Sequence, residues 1–86
     1  MAGTLSNFRV SIGPDPGDSP DGYTFTVMKN GVATAVTCPI VANAQSCTDT
    51  VNTAVFANGD DISVRSVEAN TAVDVQVAWA AQYALP

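Results

Sequence analysis

The side chains of this 86-residue chain whose types and spacing suggest chemistry are two cysteines, a spaced set of aspartates and a few large aromatics. Cys38 and Cys47 flank the segment from Pro39 to Ser46, and if their strands pair, the sulfurs fall within disulfide reach. Closing a loop of about ten residues contributes roughly 2.5–3 kcal/mol on chain-entropy accounting, a large share of what a core this small supplies. Two thiols with no histidine and no second cysteine pair are too few for a zinc centre, and a redox pair normally has only two residues between its cysteines. A structural disulfide is the expected use.

Asp15, Asp18 and Asp21 recur at every third position before Gly22, and three carboxylates in one short loop offer oxygen ligands to Ca²⁺. The loop is stiffened by Pro14, Pro16 and Pro20, and its spacing is not that of a helix–loop–helix calcium site. It reads as a solvated acidic loop, and neither metal nor cofactor is expected. Asp60 and Asp61 are adjacent, so on a strand they point to opposite faces and make poor partners in acid–base work. With no histidine in the chain, the serines lack their usual activating base, and no enzymatic activity is expected. Trp79, Tyr83 and Tyr23 could form a stacking platform for sugar, but alternation puts all three on inward faces, where they fill the core.

The elements that must position these residues are strands. Period-two alternation recurs in short pieces separated by turn residues, the pattern of an all-β sandwich. From Leu5 to Ile12, Phe8, Val10 and Ile12 share one face, and the run stops at Gly13-Pro14. From Tyr23 to Lys29, Tyr23, Phe25 and Val27 face the core and Thr24 and Thr26 face out. Asn30-Gly31 then predicts a type I′ turn into a partner strand from Val32 to Cys38, with Pro39 at a strand edge or bend. Thr34 and Thr37 read as solvent- or edge-facing. Thr48 to Ala57 reads as one extended region ending at the turn Asn58-Gly59-Asp60-Asp61, and Ile62 to Glu68 and Val73 to Tyr83 complete seven or eight strands. The expected architecture is a single domain over residues 1–86, a small antiparallel β-sandwich of jelly-roll type, with an N-terminal arm at 1–7 and an exposed loop at 13–22.

Composition narrows the function. Hydrophobic residues make up 47% and charged residues 13%, so the chain is apolar and sparsely charged, and disorder is not expected. Three basic against eight acidic residues give a net charge of −5, and Arg9, Lys29 and Arg65 make no stripe for nucleic acid. No run approaches the roughly 18–20 apolar residues of a membrane-spanning helix, and residues Met1 to Ser6 lack the features of a signal peptide. The expectation is synthesis in a cytosol. The outward face of the last strand, where Ala78 and Ala80 interleave with Gln76 and Gln82, is only weakly polar and implies surface to be covered.

Three segments, Tyr23-Thr24-Phe25-Thr26-Val27-Met28-Lys29-Asn30-Gly31-Val32, then Thr37-Cys38 to Cys47-Thr48-Asp49-Thr50, then Asn58-Gly59-Asp60-Asp61-Ile62-Ser63-Val64, carry a family resemblance. With the opening Gly3-Thr4-Leu5-Ser6-Asn7 and the closing Val77-Ala78-Trp79, the chain resembles small phage-associated jelly-roll modules of the capsid decoration, or cement, type. The resemblance implies a homotrimer on the virion exterior that binds the major capsid protein and stabilises the assembled shell, with no nucleic acid or membrane partner. On that reading the shell contact is expected from Ala2, Gly3, Thr4, Leu5, Ser6 and Asn7, or from the loop containing Pro14, Asp15 and Pro16. The alternative is a tail- or fibre-type module that binds a receptor or carbohydrate.

Overall fold

The computed structural model describes residues 2–13, 22–42, 44–69 and 76–85. Seven strands, β1 (Gly3–Gly13), β2 (Gly22–Lys29), β3 (Val32–Val41), β4 (Ser46–Asp49), β5 (Ala54–Phe56), β6 (Ile62–Ala69) and β7 (Gln76–Ala84), form two antiparallel sheets. In the first sheet β1 is central. Both β4, against Phe8 to Ser11, and β5, against Gly3 to Leu5, lie along one edge of it, and β7 lies along the other. The second sheet has the order β3-β2-β6. The chain is therefore a small all-β sandwich.

Strand β1 holds the core together because of one irregularity. Leu5 and Phe8 have opposite parity, so on a regular strand they would face opposite sides. The pairing of β1 with β7 shifts by one residue between Ser6 and Arg9, and Asn7 takes φ +51° there. Asparagine tolerates this left-handed conformation, and the extra residue restores the phase. Gly3, Leu5, Phe8, Val10 and Ile12 are all buried as a result. They pack on Phe25, Val27, Val36, Cys38, Ile40, Ala54 and Phe56.

The segment expected to be a free arm is thus the first half of the central strand. Gly3 and Leu5 pair with Phe56 and Ala54 on one side, and Leu5 pairs with Tyr83 on the other. A Cβ at Gly3 would stand 2.5 Å from the Tyr83 ring, so only glycine lets β1 pass this close. Alternation did not expose this pairing, since Ser6 and Asn7 separate Leu5 from Phe8 and put the two on opposite parity.

The tight turn after β2 forms as Asn30-Gly31 predicts, with φ +53° and +81°. Strand β3 continues through Pro39, which an edge strand accommodates because its outward amide needs no partner. A second irregularity lies between Thr26 and Met28, where Thr34 Oγ1 donates to the Val27 carbonyl at 2.7 Å and accepts from the Val36 amide at 3.2 Å. The threonine hydroxyl satisfies two backbone groups that the ladder leaves open there. Thr26, expected to face out, is buried on the central strand and shares a hydrogen bond with Thr37 at 3.0 Å.

The expected single extended region from Thr48 to Ala57 is two strands, because Asp49 turns the chain. This buried carboxylate accepts from the amides of Val51 and Asn52, from Asn52 Nδ2 and, across to β3, from the Thr37 amide, at 3.0–3.1 Å. Burial favours its neutral form, but the donors from Asn52, Thr37 and Val51 outweigh that and hold its pKa below the ordinary 3.8. A depressed native pKa contributes stability that is complete above the unfolded value and lost as pH falls through the native one. The melting temperature is accordingly expected to fall on acidification below about pH 4, measured by circular dichroism. Asp49→Ala, which strands these donors, should cost about 1–3 kcal/mol at neutral pH and flatten the acid limb. An unchanged acid limb in the variant would show that Asp49 is not its source.

Candidate functional site

The acidic residues that could have carried chemistry serve architecture where they are described. Asp60 accepts from the Ala57 amide and from Asn30 Nδ2, both at 2.8 Å, and lies 4.0 Å from Lys29 Nζ. The Ala57 and Asn30 bonds, with lesser help from Lys29, hold its pKa below the ordinary carboxylate value. Asn30 also exchanges backbone and side-chain bonds with Asp61. The cluster therefore fastens the β2–β3 turn to the turn at Ala57–Asp60, where Gly59 supplies φ +88°. Asp15, Asp18 and Asp21, with Pro14 and Pro16, lie outside the described residues.

Cys38 and Cys47 are joined by a disulfide with Cα atoms 5.8 Å apart. The bridge was expected on the condition that their strands pair. Instead Cys38 is on edge strand β3 of one sheet and Cys47 on β4 of the other, so the bond staples the two sheets along one side of the sandwich.

The opposite side is open. Strands β6 and β7 each pair with one neighbour only among the described residues, β2 and β1 respectively. Between them runs a cleft of about 220 Å³ lined by Phe25, Val64, Ser66, Val77 and Trp79. Trp79 leans on buried Phe8, with ring centroids 6.1 Å apart, yet remains 46% exposed. It was expected in the core, and it does face inward, but no further strand among the described residues covers it here. Val77, Val67 and Ile62 are exposed on the same two strands. Tyr83 and Tyr23 are half-buried against the core cluster.

The free edge of β7 is unusual in its chemistry. Long edge strands are normally blunted by lysine, proline or bulges that prevent pairing with another chain. The nine residues Gln76–Ala84 contain no charge and no proline, although the whole chain carries −5. Strand β6 carries one charge of each sign, Arg65 and Glu68. The open side is therefore nearly neutral and apolar, and it is continuous with the core through Phe25 and Trp79. The weakly polar outward face read from Ala78 and Ala80 belongs to the outer face of the first sheet and not to this cleft, so alternation alone carried no signal for the open side.

Compared with models of protein families, with curated proteins and with solved structures, the chain finds no match. The geometry of the open side is what bears on function.

Proposed function

We propose that this chain is a structural virion protein of the capsid decoration type. Three copies turn their open sides toward a common axis, and the trimer binds the outer surface of an assembled phage shell and clamps neighbouring subunits of the major capsid protein. The observation that carries this reading is the open β6–β7 side. Its two free edges, eight and nine residues long, match in length. In a closed head-to-tail ring, β7 of each copy pairs with β6 of the next and every such edge is used. A two-fold dimer through β7 alone would leave β6 bare. Neutral edges also bring no like charges together in an otherwise acidic protein. Because the trimer binds only the assembled shell, it stabilises that shell by mass action.

The shell contact cannot be the whole of Ala2 to Asn7, since Gly3 and Leu5 are buried in the sheet. The exposed Asn7 and the half-buried Ala2, Thr4 and Ser6 remain available from that segment. The loop with Pro14, Asp15 and Pro16 is the other candidate.

The test is sedimentation. The purified chain is added to phage particles prepared from cells that carry its gene and then depleted of small surface proteins. Stoichiometric co-sedimentation is expected, and a chain left in the supernatant with intact particles would overturn the reading. Val77→Lys, which sets a charge in the cleft, should reduce occupancy at least tenfold while leaving the circular dichroism spectrum unchanged. Trp79→Lys provides a second variant of the same side. Full occupancy by both would remove the open side from the mechanism.

A further inference from the structure

The outer face of the first sheet holds a second feature, which shares only Asn7 with the candidate shell contact. Arg9 stands at the centre of β1, opposite Thr48 on β4 and Ala80 on β7. It is exposed and makes no ion pair among the described residues. This is unexpected in a chain with eight acidic and three basic residues, where carboxylates are plentiful. None of the described acidic residues lies on this face. Asp49 is buried, Asp60 and Asp61 follow β5, and Glu68 is on the other sheet.

Around Arg9 the surface is hollow. One depression of about 410 Å³ is lined by Arg9, Asn7, Gln82, Thr48, Thr50 and Ala80. A second, of about 240 Å³, continues along the strands past Ser11, Ala78 and Trp79 and shares Arg9 and Ala80 with the first. The hollows arise because short alanines on β7 stand beside longer side chains on β1. Their combined length runs along the strands with the single guanidinium between them.

The polar groups are set for a ligand. The bulge turns Asn7 outward, and Asn7 Nδ2 donates to Gln82 Oε1 at 2.7 Å. That bond leaves Asn7 Oδ1 as an acceptor and Gln82 Nε2 as a donor, both fixed by the partner amide. Thr48, Thr50 and Ser11 add hydroxyls that serve either way. The face thus offers one fork-shaped cation, suited to a carboxylate, amid paired donors and acceptors suited to neighbouring hydroxyls.

We propose that this groove binds an acidic saccharide, with Arg9 taking a ring carboxylate and the Asn7–Gln82 pair and Thr48 taking hydroxyls of the same or the adjoining sugar. A bare anion would not use the hydroxyls and amides, and a phosphate polymer would need more than one cation. The end of the groove at Asn7, Gln82 and Thr48 lies away from the β6–β7 cleft, whereas the end at Ser11 and Ala78 shares Trp79 with it, so ring assembly leaves the first end open and three copies would present three such sites.

Titration calorimetry with oligogalacturonate tests it, with an uncharged dextran of matched length and poly-glutamate as comparisons. Binding is expected for oligogalacturonate. Arg9→Gln should weaken it at least about tenfold, Arg9→Lys should fall between, and Thr48→Val should weaken it less. Val77→Lys should leave it unchanged, which separates this site from the assembly surface. No binding of oligogalacturonate to the native chain would overturn the proposal. Equal binding of dextran would do so too, since the carboxylate would then be irrelevant. Equal binding of poly-glutamate would replace the saccharide by a protein carboxylate and equally sink it.

Discussion

Phe8→Ala is expected to leave the chain largely unfolded at 25 °C. Its ring is 0% exposed, it sits in the middle of the central strand between the two short strands and β7, and it supports Trp79 from beneath. Truncating a buried phenylalanine typically costs about 3–5 kcal/mol, counting lost transfer energy and the cavity left behind. A core in a chain this short rarely supplies more than about 3–5 kcal/mol, so the substitution removes most of the margin. The bulge at Asn7 adds to the loss, because its shifted register is what turns Phe8 inward and the burial of that ring is what the shift secures. Urea unfolding at a fixed protomer concentration checks this. A loss under about 1 kcal/mol would mean that the region collapses around the gap and that Phe8 is not the centre of the core.

Removing the disulfide by Cys38→Ala/Cys47→Ala is expected to cost about 2.5–3 kcal/mol on chain-entropy accounting for a sequence separation of nine. Its position makes the functional effect larger than that figure suggests. The bond joins the two sheets along the side opposite the open cleft, and the sandwich has no continuous strand pairing between sheets there to replace it. Alanine is the better replacement because Cys38 is 1% exposed and a serine hydroxyl would be buried without need. The melting temperature of the variant should match that of the native chain under full reduction. An unaltered melting temperature in both would show that the bridge contributes nothing.

Much of the fold was legible because its signals are local. Alternation in Tyr23 to Lys29 and the Asn30-Gly31 turn specify a hairpin within a dozen residues, and the structure forms it. What failed to show depends on single polar residues acting across the fold. Nothing in the run Thr4 to Phe8 announces that Asn7 will take a left-handed conformation, yet that converts an expected arm into the core strand. Asp49 looks like any strand-flanking aspartate until its four acceptor contacts split one expected extended region into β4 and β5. The cysteine spacing allowed a bridge between paired strands and is realised between sheets, since loop length limits distance without choosing the partner strand.

The candidate site was half visible. The weakly polar outward face of the last strand implied surface to be covered on the outer side of the sheet, whereas alternation placed Trp79 in the core and gave no sign of the open edge. A core position requires a layer on the far side, and strand count along the chain does not say which edge lacks one. The Arg9 groove needed the register of three strands before its hollows existed at all.

The native mass of the purified chain, by light scattering or native mass spectrometry at tens of micromolar, tests the central claim most directly. The proposed three-copy ring through the β6 and β7 edges predicts three times the 8.8 kDa of one chain, falling to one in Val77→Lys. A native chain that remains a single 8.8 kDa species, or a trimer that Val77→Lys and Trp79→Lys leave intact, would contradict it.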